Sequence, residues 1–244
     1  MKIVVVKNYT ELSALCADVI CDTLSRVPCA TLGLATGSTV LGAYSILRDR
    51  CSRGQISLAK VKVFNLDEYV GLDCSSVNSY AHFMQVNLFD GTDMQMRNFY
   101  IPNGVADSLE HECKRYDDLL SAHPRSLQLL GLGSNGHIAF NEPSTPFDTR
   151  THVVQLADST LRDNSRLFDN DSSVPRKAIT MGVRDIVSAE RVVLLASGVN
   201  KAQAVFNMVK GEVSTNCPAS ILQRHNDATV IIDEDAASLL NKTR

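Results

Sequence analysis

Four stretches of the 244-residue chain combine residue types that can move protons or hold an anion. In Gly131-Leu132-Gly133-Ser134-Asn135-Gly136-His137 a histidine closes a glycine-rich run, and Asn141-Glu142-Pro143 comes shortly after. An imidazole can take and return a proton near neutrality, and a glutamate held before a proline could orient it. A histidine flanked by glycines after an apolar run is poorly explained as a core residue, so function is favoured over packing. Phe64-Asn65-Leu66-Asp67-Glu68-Tyr69 sets two carboxylates side by side. They could transfer protons, bind a metal ion or cap a helix, and adjacency alone leaves all three open. Thr36-Gly37-Ser38-Thr39 comes after a compact apolar run. Glycine lets the backbone approach a ligand, hydroxyls donate, and a helix N-terminus favours an anion; a plain strand-to-helix turn with a hydroxyl cap would read the same. It is neither the G-x-x-x-x-G-K-[ST] nucleotide loop nor G-x-G-x-x-G. In Ser197-Gly198-Val199-Asn200-Lys201 a lysine falls in the first turn of a helix, where it opposes the helix dipole unless an anion offsets it. Alone, it would pass for a solvated lysine. Arg166 is a second cation beside a polar turn.

These groups need a scaffold that brings them together. Short β-branched runs over 2–6, 30–35, 61–65, 127–132, 191–196 and 229–232 read as strands. Between them, Leu12, Cys16, Val19, Ile20 and Leu24 recur at helical spacing, with Asn8 or Thr10 as cap. Further helices are expected up to about residue 50, over 79–89 and 108–121, and from about 201 to 209. The pattern predicts an α/β fold: an open, mostly parallel twisted sheet with helices on both faces, a Rossmann-like three-layer sandwich. Ligands of such sheets bind beyond the carboxyl ends of the strands, where the polar stretches fall. With no repeat, low-complexity tract or linker, one domain over 1–244 is expected.

Lys plus Arg number 24 and Asp plus Glu 27, a net charge of −3, and 44% of the residues are hydrophobic. This balance argues against a nucleic-acid or anionic-membrane partner, though not against a local cationic pocket. No apolar run approaches the roughly 20 residues of a membrane span, and the start of the chain is too short in apolar residues for a signal peptide. A cytoplasmic protein is expected. The seven cysteines show no C-x-x-C spacing and are expected to be unpaired thiols, not a disulfide scaffold or zinc site. His82, His111, His123, His152 and His225 have no neighbours like those of His137.

Together, Leu34-Ala35-Thr36-Gly37-Ser38-Thr39, Asn65-Leu66-Asp67-Glu68-Tyr69-Val70-Gly71-Leu72, Gly136-His137-Ile138-Ala139-Phe140-Asn141-Glu142-Pro143, Ser165-Arg166-Leu167-Phe168-Asp169-Asn170-Asp171 and Ser197-Gly198-Val199-Asn200-Lys201 resemble the glucosamine-6-phosphate deaminase family, along nearly the whole chain. The resemblance implies conversion of glucosamine 6-phosphate and water to fructose 6-phosphate and ammonia, with no metal or organic cofactor. It implies that His137, supported by Glu142 and Asn135, opens the sugar ring, and that Asp67 moves a proton between C2 and C1. It places the phosphate on Thr36, Gly37, Ser38 and Thr39 with Arg166 and Lys201 as charge partners, and Glu68 among the substrate-binding residues. The oligomeric state stays open between monomer and homo-oligomer. The stretch from about 145 to 166 is the candidate mobile segment over the site.

Two positions depart from the family pattern. Many members carry aspartate where this chain has Asn135, which can still accept a hydrogen bond from an imidazole N–H but adds no negative charge. Hexameric members are activated by N-acetylglucosamine 6-phosphate, bound partly by basic residues beyond the Asn-Glu-Pro motif. The aligned positions are His152 and Val154, so little or no such activation is expected. A 6-phosphogluconolactonase would lack the Asn141-Glu142-Pro143 and Asn65-to-Tyr69 combination. A non-catalytic sugar-phosphate sensor would need a DNA-binding module, for which a fold expected to begin at Lys2 leaves no room.

Overall fold

The computed structural model describes residues 1–165 and 174–240. Its strands are, in chain order, β1 (Lys2–Val6), β2 (Thr31–Leu34), β3 (Lys62–Asn65), β4 (Asp67–Tyr69), β5 (Phe99–Tyr100), β6 (Leu127–Gly131), β7 (His152–Gln155), β8 (Lys177–Thr180), β9 (Val192–Ala196) and β10 (Ala228–Asp233). Seven form a parallel sheet in the order β1-β10-β9-β6-β2-β3-β5. Every residue of β2, β9 and β10 is buried, as expected when helices cover both faces of a parallel sheet. The helices are α1 (Tyr9–Arg26), α2 (Leu41–Ser52), α3 (Tyr80–Met84), α4 (Leu109–Ala122), α5 (Asp158–Ser165), α6 (Val183–Ile186) and α7 (Ala202–Lys210).

Local chemistry sets the element ends. The Asn8 side chain accepts from the Glu11 N–H, and Glu11 in turn accepts from the Lys7 N–H, a reciprocal closure of the first turn of α1. From there Leu12, Cys16, Ile20 and Leu24 face the core. The helix expected over 79–89 is two elements: α3, capped by Ser79 accepting from the His82 N–H, runs into a π-helical turn at Gln85–Phe89.

The sequence pattern does not foretell a second, antiparallel sheet, in the order β4-β8-β7. It braces the loops at the end of the main sheet. Met181 N–H donates to Leu66 O at 2.7 Å, and Phe140 N–H to Thr180 Oγ1 at 3.1 Å. Tyr69, Tyr80, Phe140, Leu156 and Ala178 form a small core of their own beneath it. Much of the stretch from 145 to 166 is tied down: Thr151 N–H donates to Asp117, Arg150 reaches Asp117 and Asp185, and β7 pairs with β8. Beyond β7 the chain continues to the cleft as α5, whose Thr160 lines it. All seven cysteines are unpaired, and burial pushes the Cys16 thiol up to about 12. Among the described residues no helix is long and apolar enough to cross a membrane.

Candidate active site

The strand order reverses direction between β2 and β6. From there β2, β3 and β5 run to one edge, while β6, β9 and β10 run toward the other. Such a switch point opens a crevice beyond the carboxyl ends of the strands, and a cleft of about 400 Å³ lies there. Thr36, Gly37, Ser38, Thr39, Asp67, His137 and Lys201 all line it. A larger groove of about 630 Å³, with Cys21, Ile56 and Lys60 in its wall, lies away from it and holds none of the candidate residues.

One wall of the cleft comes directly after β2. Gly37 has φ +101°, a conformation that favours glycine. A 3₁₀ turn, Ser38–Val40, then leads into α2, and neither start has a side-chain cap. The hydroxyl-capped turn that would equally explain these residues is therefore not what forms, and the helix end can meet an anion. The Tyr9 hydroxyl holds the loop from outside, donating to Ser38 O at 3.0 Å and accepting from the Gly42 N–H at 2.9 Å.

The glycine-rich run after β6 seats the histidine. A methyl group on Gly133 would lie 2.4 Å from the His137 ring, so only glycine leaves the imidazole its place. Asn141 pins the loop by donating to Ile138 O and Met181 O, both at 2.9 Å. His137 Nδ1 sits 3.4 Å from Glu142 Oε2, an ion-pair approach outside hydrogen-bond geometry. Glu142 accepts from Asn135 Nδ2 at 2.7 Å and from the Thr160 hydroxyl of α5. Burial pushes the Glu142 carboxyl up, but His137, Thr160 and Asn135 together hold it down at about 2. It stays ionised at any physiological pH. Asn135 Oδ1 accepts from the His137 main-chain N–H at 3.2 Å. Asn135 thus meets the backbone of His137 with its oxygen and the Glu142 carboxylate with its nitrogen.

Asp67 opens β4 and lines the cleft, the residue as a whole 6% exposed. Burial, and then the neighbouring Glu68 charge, push its carboxyl well above the usual range. Glu68 accepts from the main-chain N–H groups of Tyr69, Tyr80 and Ala81. It secures the start of α3 and does not line the cleft, which departs from its expected contact with substrate. Lys201 ends a 3₁₀ turn and leads into α7. Arg166 lies outside the described residues. Sequence reasoning misses Tyr80, Thr160, Ser197 and Asn200, which also line the cleft. A tyrosine opening a helix looks like a core residue, and nothing in its spacing marks the bond its hydroxyl makes to the Tyr69 hydroxyl at 3.2 Å. Among the described residues no three His, Cys, Asp or Glu side chains converge to hold a metal ion.

Known proteins share the sequence and fold of this chain. A family model described as glucosamine-6-phosphate isomerases/6-phosphogluconolactonase matches residues 7–231. The chain belongs to this family. Within the isomerase/lactonase family it is 47% identical over 241 residues to a glucosamine-6-phosphate deaminase of Clostridium novyi (strain NT), covering 98% of this chain and all of the relative. It also superposes on a solved monomeric glucosamine-6-phosphate deaminase, with TM-score 0.96 and 45% identity over 98% of this chain and 100% of the other. Against the 6-phosphogluconolactonase of Trypanosoma brucei the TM-score is 0.80 at 18% identity, over 98% of each chain, a likeness of fold alone.

Proposed function

We propose that the chain converts glucosamine 6-phosphate and water to fructose 6-phosphate and ammonia. The observation that carries this reading is one cleft holding a buried carboxylate, an imidazole backed by a carboxylate, and an uncapped helix start beside a lysine. The near-full-length likeness to deaminases selects this chemistry over lactone hydrolysis.

The phosphate rests on Thr36 to Thr39 at the start of α2, with Lys201 and Arg166 as counter-charges. His137 takes the proton of the anomeric hydroxyl and delivers it to the ring oxygen, so that the C1–O5 bond breaks and the aldehyde forms. Glu142, ionised throughout, favours the imidazolium between those two transfers. Asp67 then removes the C2 proton while the aldehyde oxygen takes a proton given up by the C2 ammonium group, leaving an enolamine, and Asp67 returns its proton to C1, leaving an iminium at C2. Water adds to the resulting iminium carbon at C2, and ammonia leaves to give the ketose. A carboxyl pushed up by burial is a stronger base than an exposed one, and the substrate's ammonium group beside it favours its ionised form. The whole chain acts as one catalytic domain, with α5 contributing Thr160 to the wall of the cleft. A sugar-phosphate substrate and seven unpaired thiols fit a cytoplasmic enzyme.

The test is product analysis with purified protein. Equimolar ammonia and fructose 6-phosphate from glucosamine 6-phosphate, with no acceleration of 6-phosphogluconolactone hydrolysis, is the expected result. Lactone hydrolysis without ammonia would overturn the reading.

A further inference from the structure

The two loops that flank the His137 segment share one local geometry. Gly37, with φ 101° and ψ 171°, leads into a three-residue 3₁₀ turn and then α2. Gly198, with φ 90° and ψ 155°, leads into another, Val199–Lys201, and then α7. The residues that enter the two helices match as well: Val40 at φ −90°, ψ −13° and Lys201 at φ −95°, ψ −9°. Because β6 lies between β2 and β9, two equivalent strand–glycine–turn–helix units stand on either side of the histidine loop.

They differ in what secures the glycine. At the second loop a carboxylate, Asp233, comes from the end of the adjoining strand β10. Gly198 N–H lies 3.0 and 3.1 Å from its two oxygens, the Ser197 hydroxyl donates to Oδ2 at 2.5 Å, and Ala236 N–H donates to Oδ1 at 2.8 Å. Asp233 is 5% exposed. Among the described residues no carboxylate meets the Gly37 amide. The first loop is held instead by the Tyr9 hydroxyl, which leaves its helix start toward the cleft. A bare carboxylate beneath an anion site would repel the phosphate, but here its charge is taken up by hydrogen bonds from three residues.

We propose that Asp233 is a positioning residue for the substrate's phosphate. By fixing Ser197 and Gly198 it sets the turn that delivers Asn200 and Lys201 to the cleft. Lysine is a point charge on a flexible stem, so its contribution depends on a backbone already in place. The inference rests on the assignment of Lys201 to phosphate, and the test separates the two.

Asp233→Ala, Lys201→Ala and the double variant are compared by KM, kcat and the inhibition constant of inorganic phosphate. Asp233→Ala is expected to raise KM and the phosphate inhibition constant together by about tenfold, the loss of one charge-assisted contact, with kcat within about threefold of wild type. The double variant is expected to lose little beyond Lys201→Ala, because the two changes remove one interaction. Added formate is expected to restore part of the affinity of Asp233→Ala and none of that of Lys201→Ala. Should Asp233→Ala fail to fold, Asp233→Asn, which keeps the shape with one acceptor oxygen fewer, is read in the same way. Unchanged KM in Lys201→Ala would overturn both assignments. A raised KM in Lys201→Ala with unchanged KM in the Asp233 variants, or fully additive losses, would overturn the Asp233 inference alone.

Discussion

Asp67 and Glu68 are neighbours in sequence with different surroundings, because successive side chains of β4 point to opposite faces. Glu68 receives three backbone amides, while Asp67 is left at the cleft with its carboxyl pushed up by burial. A carboxyl whose affinity for protons is higher in the fold than in the unfolded chain destabilises the fold as pH rises above its ordinary value near 4. Asp67→Asn should therefore unfold at a higher temperature than wild type at pH 7.5, by about 2–8 °C for roughly 1–2 kcal/mol. The difference should shrink as pH falls toward 4; scanning calorimetry across pH would contradict this if the variant were less stable at neutrality. Asn135 offers a second test. Asn135→Asp exchanges the amide that donates to Glu142 for a carboxylate and adds negative charge beside the imidazole. The acid limb of the pH–rate profile is expected to move upward by about one pH unit, and an unmoved limb would remove charge at this position from the account.

The site residues act because elements hold them, and the elements differ in how openly the sequence displays them. The long strands of the parallel sheet are mainly apolar runs, broken only by residues such as Gln128 and Thr229, and the glycine and hydroxyl clusters at their ends mark the loops over the cleft. Gly133 is legible as part of a motif, though its reason, room for the imidazole ring, needs the folded loop. The second sheet is not legible. β4 is three residues long and is separated from β3 by Leu66 alone, and β7 alternates half-buried and exposed residues without a strong apolar signal. Its function is to hold the histidine loop through Thr180 and Met181. Asn141→Ala would remove the side-chain bonds to Ile138 O and Met181 O in a fully buried place, leaving the first with the main-chain N–H of residue 141 and the second with the Thr180 hydroxyl at 3.5 Å. The expected loss is about 2–3 kcal/mol in urea unfolding, together with a lower kcat as His137 loses its seat; an unchanged midpoint would show that the loop is held otherwise.

At the scale of the whole molecule, a chain of net charge −3 brings Lys201 and the turn that leads into α2 to one cleft. His152 and Val154, the positions that the family resemblance sets against an activator site, lie in β7. There the His152 ring turns to Arg150 O at 2.9 Å and Val154 packs on the small core. Saturation with glucosamine 6-phosphate is expected to be hyperbolic, with and without N-acetylglucosamine 6-phosphate. Sigmoidal kinetics that become hyperbolic on adding the acetylated sugar would refute this. The central claim is that Asp67 and His137 divide the proton transfers of one deamination. Its most direct measurement is fructose 6-phosphate and ammonia release by Asp67→Asn and His137→Gln beside wild type. The account predicts that each variant, still folded and still inhibited by inorganic phosphate, loses roughly 10²–10⁴-fold in kcat. Full activity in both would contradict it.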